Sequence, residues 1–257
     1  MEREVLKSKI GIIGCGWLGT HLAEHLKNKY TIFATTRSEE RKNKLQQKGF
    51  QVSSIDFNKS IITDFDFRAM KAIIVCVPFS MRKSWDELSK IFKNIITFLK
   101  PYQGQVFLMS SIGIYPEYNG VITEETFLDS DLKVNFIGIE NLCKKEIPQL
   151  NILRLGGLMG GSRIFSKYTV KNEELRVNHV HYKDICNIIE IMMDRKLGSK
   201  LYNIVAPLHP SKREVILYQK EEIFQETQQG TGRWISSEKM MKDLAYQYEF
   251  PDPRKFI

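Results

Sequence analysis

Cysteine is scarce in this 257-residue chain: there are four, Cys15, Cys76, Cys143 and Cys186, and no two stand in C-x-x-C spacing. That excludes the common thiolate metal and dithiol redox motifs and leaves buried free thiols as the default, including Cys15, where close packing is expected over reactivity. A reducing, cytoplasmic setting is the matching expectation. Long apolar runs are also missing. No stretch approaches the ~20 residues of a membrane-spanning helix, and residues 1–9 are too polar and charged for a signal peptide, so no membrane partner is expected. The net charge is +8, yet no block of purely basic residues occurs; lysines and arginines alternate with acids, as in KNEELR (171–176). Nucleic acid is therefore not an expected partner, whereas a small phosphate-bearing ligand satisfies the positive balance. Repeats of solenoid period are absent. A metal set is absent as well: His179 and His181 form an H-x-H pair in an extended segment, but no acid or cysteine completes it.

What is present is organised around KIGIIGCGWLGTHLAEHL, Lys9 to Leu26. A short apolar run (Ile10, Ile12, Ile13) leads into Gly14, Gly16 and Gly19 in G-x-G-x-x-G spacing. Helical periodicity through Leu18, Leu22 and Leu26 follows at once. Strand, glycine turn and helix in that order are the context in which the pattern binds a dinucleotide. Gly14 permits the tight turn, Gly16 lets backbone approach a pyrophosphate, and Gly19 brings the helix close to the strand. Phosphates then sit at the positive helix start, with Cys15, Trp17 and Leu18 completing the turn.

A second strand, Tyr30 to Thr36, ends in Thr36, Arg37 and Ser38. An enzyme selecting the unphosphorylated ribose carries an acid at this place. Here the acid is missing and an arginine stands instead, whose planar, permanently charged fork suits a phosphate. NADP is expected over NAD, which stays open. A polar helix (38–48) closed by Gly49 follows, then strands at 50–55, 72–77 and 105–109, with an amphipathic helix, 85–99, between the last two. The run 72–77 is almost wholly apolar, as in a parallel strand covered on both faces. This alternation predicts an α/β fold: a doubly wound parallel sheet of Rossmann type with helices on both faces. Ligands collect at the carboxyl ends of such strands, where Gly14–Gly19, Arg37, Asp56, Val77, Pro78, Ser110 and Ser111 all fall. Further on, a helix is expected at 131–147, a strand at 151–155, a flexible glycine turn at 156–161 and an extended segment from 177 leading into a helix at 184–195. A strand at 201–205, a helix at 211–224 opening on an S-x-x-E box and a short helix at 237–245 complete the reading.

Taken together, GIIGCGWLG, LMSSIGIYP (108–116), ILRLGGLMGG (152–161), NHVHYKDI (178–185) and LYNIVAPLHPSKREV (201–215) resemble the extended or atypical short-chain dehydrogenase/reductases, the NAD-dependent epimerase/dehydratase-like group. The resemblance implies a Rossmann lobe, 1–155, and a smaller substrate lobe, 156–257, partly interleaved with the sheet. It implies that Ser111 hydrogen-bonds a substrate carbonyl or hydroxyl. It also implies structural roles for His181 and Asp184, and oligomers no larger than a monomer or homodimer are expected.

The chain departs from that group at one place. Its proton-transferring tyrosine lies in Y-x-x-x-K, where the lysine lowers the phenol pKa; none of the ten tyrosines here has a lysine four residues on. Phe136 and Glu140 occupy the corresponding helix, and Glu140 is expected to pair with Lys144 at the surface. Tyr115, four residues after Ser111, is the remaining candidate acid/base, while Arg154 is expected to anchor a sheet end. The expected activity is an NADP-dependent oxidoreductase or epimerase-like reaction on a small carbonyl or hydroxyl compound, nucleotide-sugar-like in one version; the alternative is a catalytically silent NADP-binding regulatory module.

Overall fold

The computed structural model describes residues 7–59, 67–79, 83–223 and 230–256. The chain forms two compact units, neither continuous in sequence. The first comprises Met1–Ser110, Asn135–Ile152 and Met193–Lys200; the second comprises Ser111–Val134, Leu153–Met192 and Leu201–Ile257. The two units interleave along the chain, 111–134 belonging with the second and 193–200 with the first.

The first unit opens with β1 (Lys9–Ile13), α1 (Trp17–Leu26), β2 (Thr31–Thr36), α2 (Glu39–Gln47) and β3 (Gln51–Ser54). Four of the five β1 residues are buried, and α1 turns Leu18, Leu22, Ala23 and Leu26 inward at helical spacing. By contrast α2 buries only Leu45 and is held by its ends: Ser38 caps it, and Gly49 leaves it at φ +87°. Next come β4 (Met70–Val75) and α3 (Trp85–Leu99), which starts with a Ser84/Glu87 capping box and buries Leu88, Ile91, Phe92, Ile95, Ile96 and Leu99. The strand β4 begins and ends two residues earlier than its apolar run suggests.

The chain continues through β5 (Gln105–Ser111), β6 (Val121–Ile122), α4 (Val134–Glu146), β7 (Leu150–Leu155), β8 (Gly157–Met159), β9 (His179–His181), α5 (Tyr182–Asp194) and β10 (Leu201–Ile204). It ends with α6 (Lys212–Gln219), β11 (Trp234–Ile235) and α7 (Glu238–Leu244). Seven strands form one sheet in the order β10-β7-β5-β4-β1-β2-β3, and β3, β2, β1, β4 and β5 pair in parallel. After running outward from β1 to β3, the chain returns to β4 on the opposite side of β1. The switch point of this sheet therefore lies between β1 and β4, which is where doubly wound folds take their ligands.

Three expectations for the C-terminal half change. Within 156–161, Gly157–Met159 is a strand that pairs in parallel with His179–His181, whereas Gly160 and Gly161 take positive φ in a turn closed by two backbone bonds between Gly160 and Arg163. The glycines serve close approach: a Cβ on Gly156 would lie 2.5 Å from the Asn178 carbonyl oxygen, and one on Gly157 would lie 2.5 Å from His179 Cδ2. The helix expected from 131 starts at Val134, after a single 3-10 turn at Asp129–Asp131, and the one expected from Ser211 ends at Gln219. Phe224, the expected end of that last helix, lies outside the described residues. Among the described residues no helix is long and apolar enough to cross a membrane.

Candidate functional site

In the first unit the glycine turn, the end of β2 and the end of β4 converge. Gly14 takes φ +78°, donates its amide to Thr35 Oγ1 (3.0 Å), and is followed by Cys15, whose amide bonds the Thr35 carbonyl (2.7 Å). The turn is thus stitched to β2. A Cβ on Gly14 would lie 2.8 Å from Val77 Cγ2, so Val77, just beyond β4, packs directly on it. A Cβ on Gly19 would lie 3.2 Å from Ile12 Cγ2, which shows how closely α1 lies on β1. At Gly16, by contrast, the space is open except for an Arg41 guanidinium nitrogen at 3.6 Å and the Gly14 carbonyl oxygen at 3.8 Å.

Helix α1 starts at this turn with no side-chain cap and no acid in its first turn, whereas Ser38, Ser84 and Ser211 cap α2, α3 and α6. The first-turn amides of a helix have no intrahelical partner. Gly16 at the N-cap of α1 has no side chain to accept those amides, and the helix dipole makes this end favourable for an anion.

Cys15 is buried, with Sγ 3.9 Å from Thr20 Oγ1, and burial pushes its thiol up to about 11. It fills space and stays protonated. Trp17 packs edge-on against His21 at 4.6 Å, and Leu18 points into the core. At the end of β2 Thr36 is buried, while Arg37 and Ser38 are exposed. Ser38 Oγ accepts the Arg41 amide at 3.3 Å, so the cap of α2 places Arg41 over the glycine turn. Arg41 is a residue the sequence reading missed; the signal was its spacing of four from Arg37 across a helix start. Asp56 accepts bonds from the Asn58 amide (3.0 Å) and Asn58 Nδ2 (2.7 Å). These bonds, with a smaller contribution from the charge of Arg37, hold its carboxyl below the usual range. Pro78 follows Val77, and Phe79 packs on Phe92 and Phe136 with centroids at 5.2 and 5.5 Å.

Ser110 lies at the carboxyl end of β5 and donates to Glu140 Oε1 at 2.6 Å, with both residues buried. Glu140 is therefore an interior residue of α4, not the surface partner of Lys144 that was expected.

The second unit receives Ser111 and Tyr115. Ser111 Oγ accepts the Gly113 amide at 3.0 Å and starts the short turn Ile112–Ile114. Tyr115 has no exposed surface: its hydroxyl donates to Asn203 Oδ1 (2.7 Å) and receives Arg154 Nη1 (3.0 Å), with the guanidinium 5.2 Å from the ring centroid. Asn203 in turn donates its amide to buried Glu124 (2.6 Å), and Arg233 donates to the Tyr115 carbonyl (3.0 Å). Burial raises the phenol pKa, outweighing Arg154. The Tyr115 hydroxyl expected to transfer a proton is thus enclosed and bonded to both Asn203 and Arg154. Arg154, expected at a sheet end, is the buried donor of this network.

Among the described residues no group of three or more His, Cys, Asp or Glu is placed to hold a metal ion. His181 stacks on Phe250 at 3.8 Å, and Asp184 collects the Tyr246 hydroxyl and the amides of Glu249 and Phe250, fastening the C-terminal segment. His179 faces Phe165 edge-on, its buried Nδ1 without a hydrogen-bond partner, and burial lowers its pKa to about 4. Burial lowers His209 to about 4 as well, its Nδ1 lying 3.2 Å from the Val177 carbonyl oxygen. Both are neutral in the fold, whereas an unfolded histidine titrates near 6.5. As pH falls below about 6.5 the unfolded chain takes up protons that the folded one refuses until about pH 4. Stability present at pH 7 should thus drop by about 2 kcal/mol per histidine at pH 4.5. Urea midpoints of the parent and of His209→Gln across this range test it, and parallel curves would refute the assignment to His209.

The family described as NADP oxidoreductase, coenzyme F420-dependent, matches residues 9–96, from β1 into α3. Protein YeeZ of Escherichia coli K12 is 23% identical over 267 residues, with 95% of this chain and 97% of that protein covered. A functionally unknown conserved protein from Silicibacter pomeroyi DSS has a similar structure, with a TM-score of 0.76, 15% identity and coverage of 97% and 96% of the two chains. UDP-glucuronic acid 4-epimerase from Bacillus cereus, solved in complex with NAD, gives a TM-score of 0.74 at 14% identity over 96% and 94%. With the strand order and its switch point, these likenesses establish a Rossmann-like α/β fold.

Proposed function

We propose that the first unit binds a pyridine dinucleotide, NADP in preference to NAD, and that the chain is an oxidoreductase or epimerase-like enzyme acting on a small carbonyl or hydroxyl compound. The observation that carries this is the glycine turn: Gly14 at φ +78°, no atom nearer than 3.6 Å to a Cβ at Gly16, and a helix whose N-cap is that glycine. The first-turn amides of α1 would hold the pyrophosphate. Arg37 and Arg41, one exposed at the end of β2 and the other over the turn, would bind the 2′-phosphate, with Thr36 and Ser38 beside them. When bound, the nicotinamide supplies or accepts hydride. Ser111, whose Oγ already accepts the Gly113 amide, keeps its proton to donate to a substrate oxygen and would orient it. The family matched at 9–96 and the NAD complex of the similar epimerase support a dinucleotide as the ligand.

Calorimetric titration with NADPH and NADH tests the proposal. NADPH is expected to bind the tighter, and Arg37→Ala or Arg41→Ala to weaken it about tenfold while leaving NADH unchanged. If neither nucleotide binds, the turn is only architecture and the enzyme reading falls with it. A second reading, a cofactor-binding module without turnover, is favoured by the packing of Phe136 on Phe79 and the enclosure of Tyr115. Steady NADPH oxidation with any member of a carbonyl panel would end it.

A further inference from the structure

Glu140 has no solvent exposure, and its Oε1 receives the Ser110 hydroxyl at 2.6 Å. The pair stands at the carboxyl end of β5 in the first unit, and β5 adjoins β4, the strand that borders the switch point. Strands are spaced about 5 Å apart, so β5, which carries Ser110, lies one to two strand spacings from the crevice between β1 and β4. On the proposed binding mode the adenosine end of the dinucleotide lies over β2, toward Arg37. The nicotinamide end therefore extends to the other side of the crevice, the side of β4 and β5. The charge of Glu140 reaches its surroundings: it is the second cause, after burial, that pushes the Cys143 thiol up to about 12.

We propose that Glu140, held by Ser110, is a specificity residue that favours the oxidised, cationic nicotinamide over the neutral reduced one. The inference rests on the dinucleotide reading of the first unit and adds to it a preference between redox forms. The oxidised ring carries a positive charge that the reduced ring lacks, so an interior carboxylate on that side of the crevice attracts one form and is indifferent to the other. A unit charge acting over about 10 Å at an effective dielectric constant of about 20 changes an equilibrium on the order of tenfold. Whatever else Glu140 touches, Glu140→Gln removes one negative charge and keeps an oxygen that can accept from Ser110.

The experiment is a pair of calorimetric titrations, NADP+ and NADPH, on the full chain, on Glu140→Gln and on Ser110→Ala. The expected result is an NADP+ to NADPH Kd ratio that rises about tenfold in Glu140→Gln and stays near the parent value in Ser110→Ala, which keeps the charge. An unchanged ratio in Glu140→Gln, with both nucleotides still bound, overturns the inference and spares the dinucleotide reading. Loss of both nucleotides by the parent chain overturns the dinucleotide reading itself. Should Glu140→Gln fail to fold, the parent decides: NADP+ bound at least as tightly as NADPH supports the assignment, and a tenfold preference for NADPH refutes it.

Discussion

Replacing Tyr115 by phenylalanine should lower stability by about 3 kcal/mol, and any turnover should fall only as far as the folded fraction does. The hydroxyl it removes is the hydrogen-bond partner of Arg154 Nη1 at 3.0 Å and of Asn203 Oδ1 at 2.7 Å, and the tyrosine has no exposed surface. Deleting one member of a buried polar set leaves its neighbours with desolvated groups, each costing about 1–3 kcal/mol and more where one is charged. Urea denaturation of parent and variant reads the first quantity. Should turnover collapse while the denaturation midpoint stays put, Tyr115 would return as the acid. The unit would then have to open to expose it, since the phenol is enclosed and its pKa raised by burial.

That case marks where the sequence stops being informative. The turn at Gly14–Gly19, the amphipathic α3 and the apolar β4 follow from periodicity and spacing, and each lies within two residues of its expected position. These are local patterns, and local patterns are what a linear reading can resolve. The network around Tyr115 joins residues 115, 124, 154, 203 and 233, separated by up to 118 positions, so no window along the chain contains it. Glu140 was misread for the same reason: its one-turn neighbour Lys144 is visible in sequence, but Ser110, thirty residues away, is not. The glycines at 156 and 157 carry the opposite lesson. Glycine signals either freedom or close approach, and only the carbonyl of Asn178 and the ring of His179 beside them show which applies.

The same ambiguity makes two other glycines a matched test. Gly14→Ala is expected to destabilise the chain by about 2–4 kcal/mol and to weaken nucleotide binding by at least about thirtyfold, whereas Gly49→Ala should cost about 1 kcal/mol and leave binding intact. Both positions have positive φ, +78° and +87°, so both variants carry the strain of a side chain in the left-handed region. They differ in what the new methyl meets. At Gly49 nothing lies within 4 Å, but at Gly14 the methyl would lie 2.8 Å from Val77 Cγ2 and 3.1 Å from the Val77 amide nitrogen. The side chain can swing aside; the amide belongs to backbone just beyond β4 and cannot move without shifting the turn. Because the amides of Gly14 and Cys15 are both tied to Thr35, a shift there breaks the stitching of turn to β2 and moves the start of α1 with it. Thermal melts and NADPH titrations of the two variants measure strain and site separately. Equal loss of binding in both would mean that backbone strain anywhere in this unit disables it, and that the glycine turn has no special claim to the ligand.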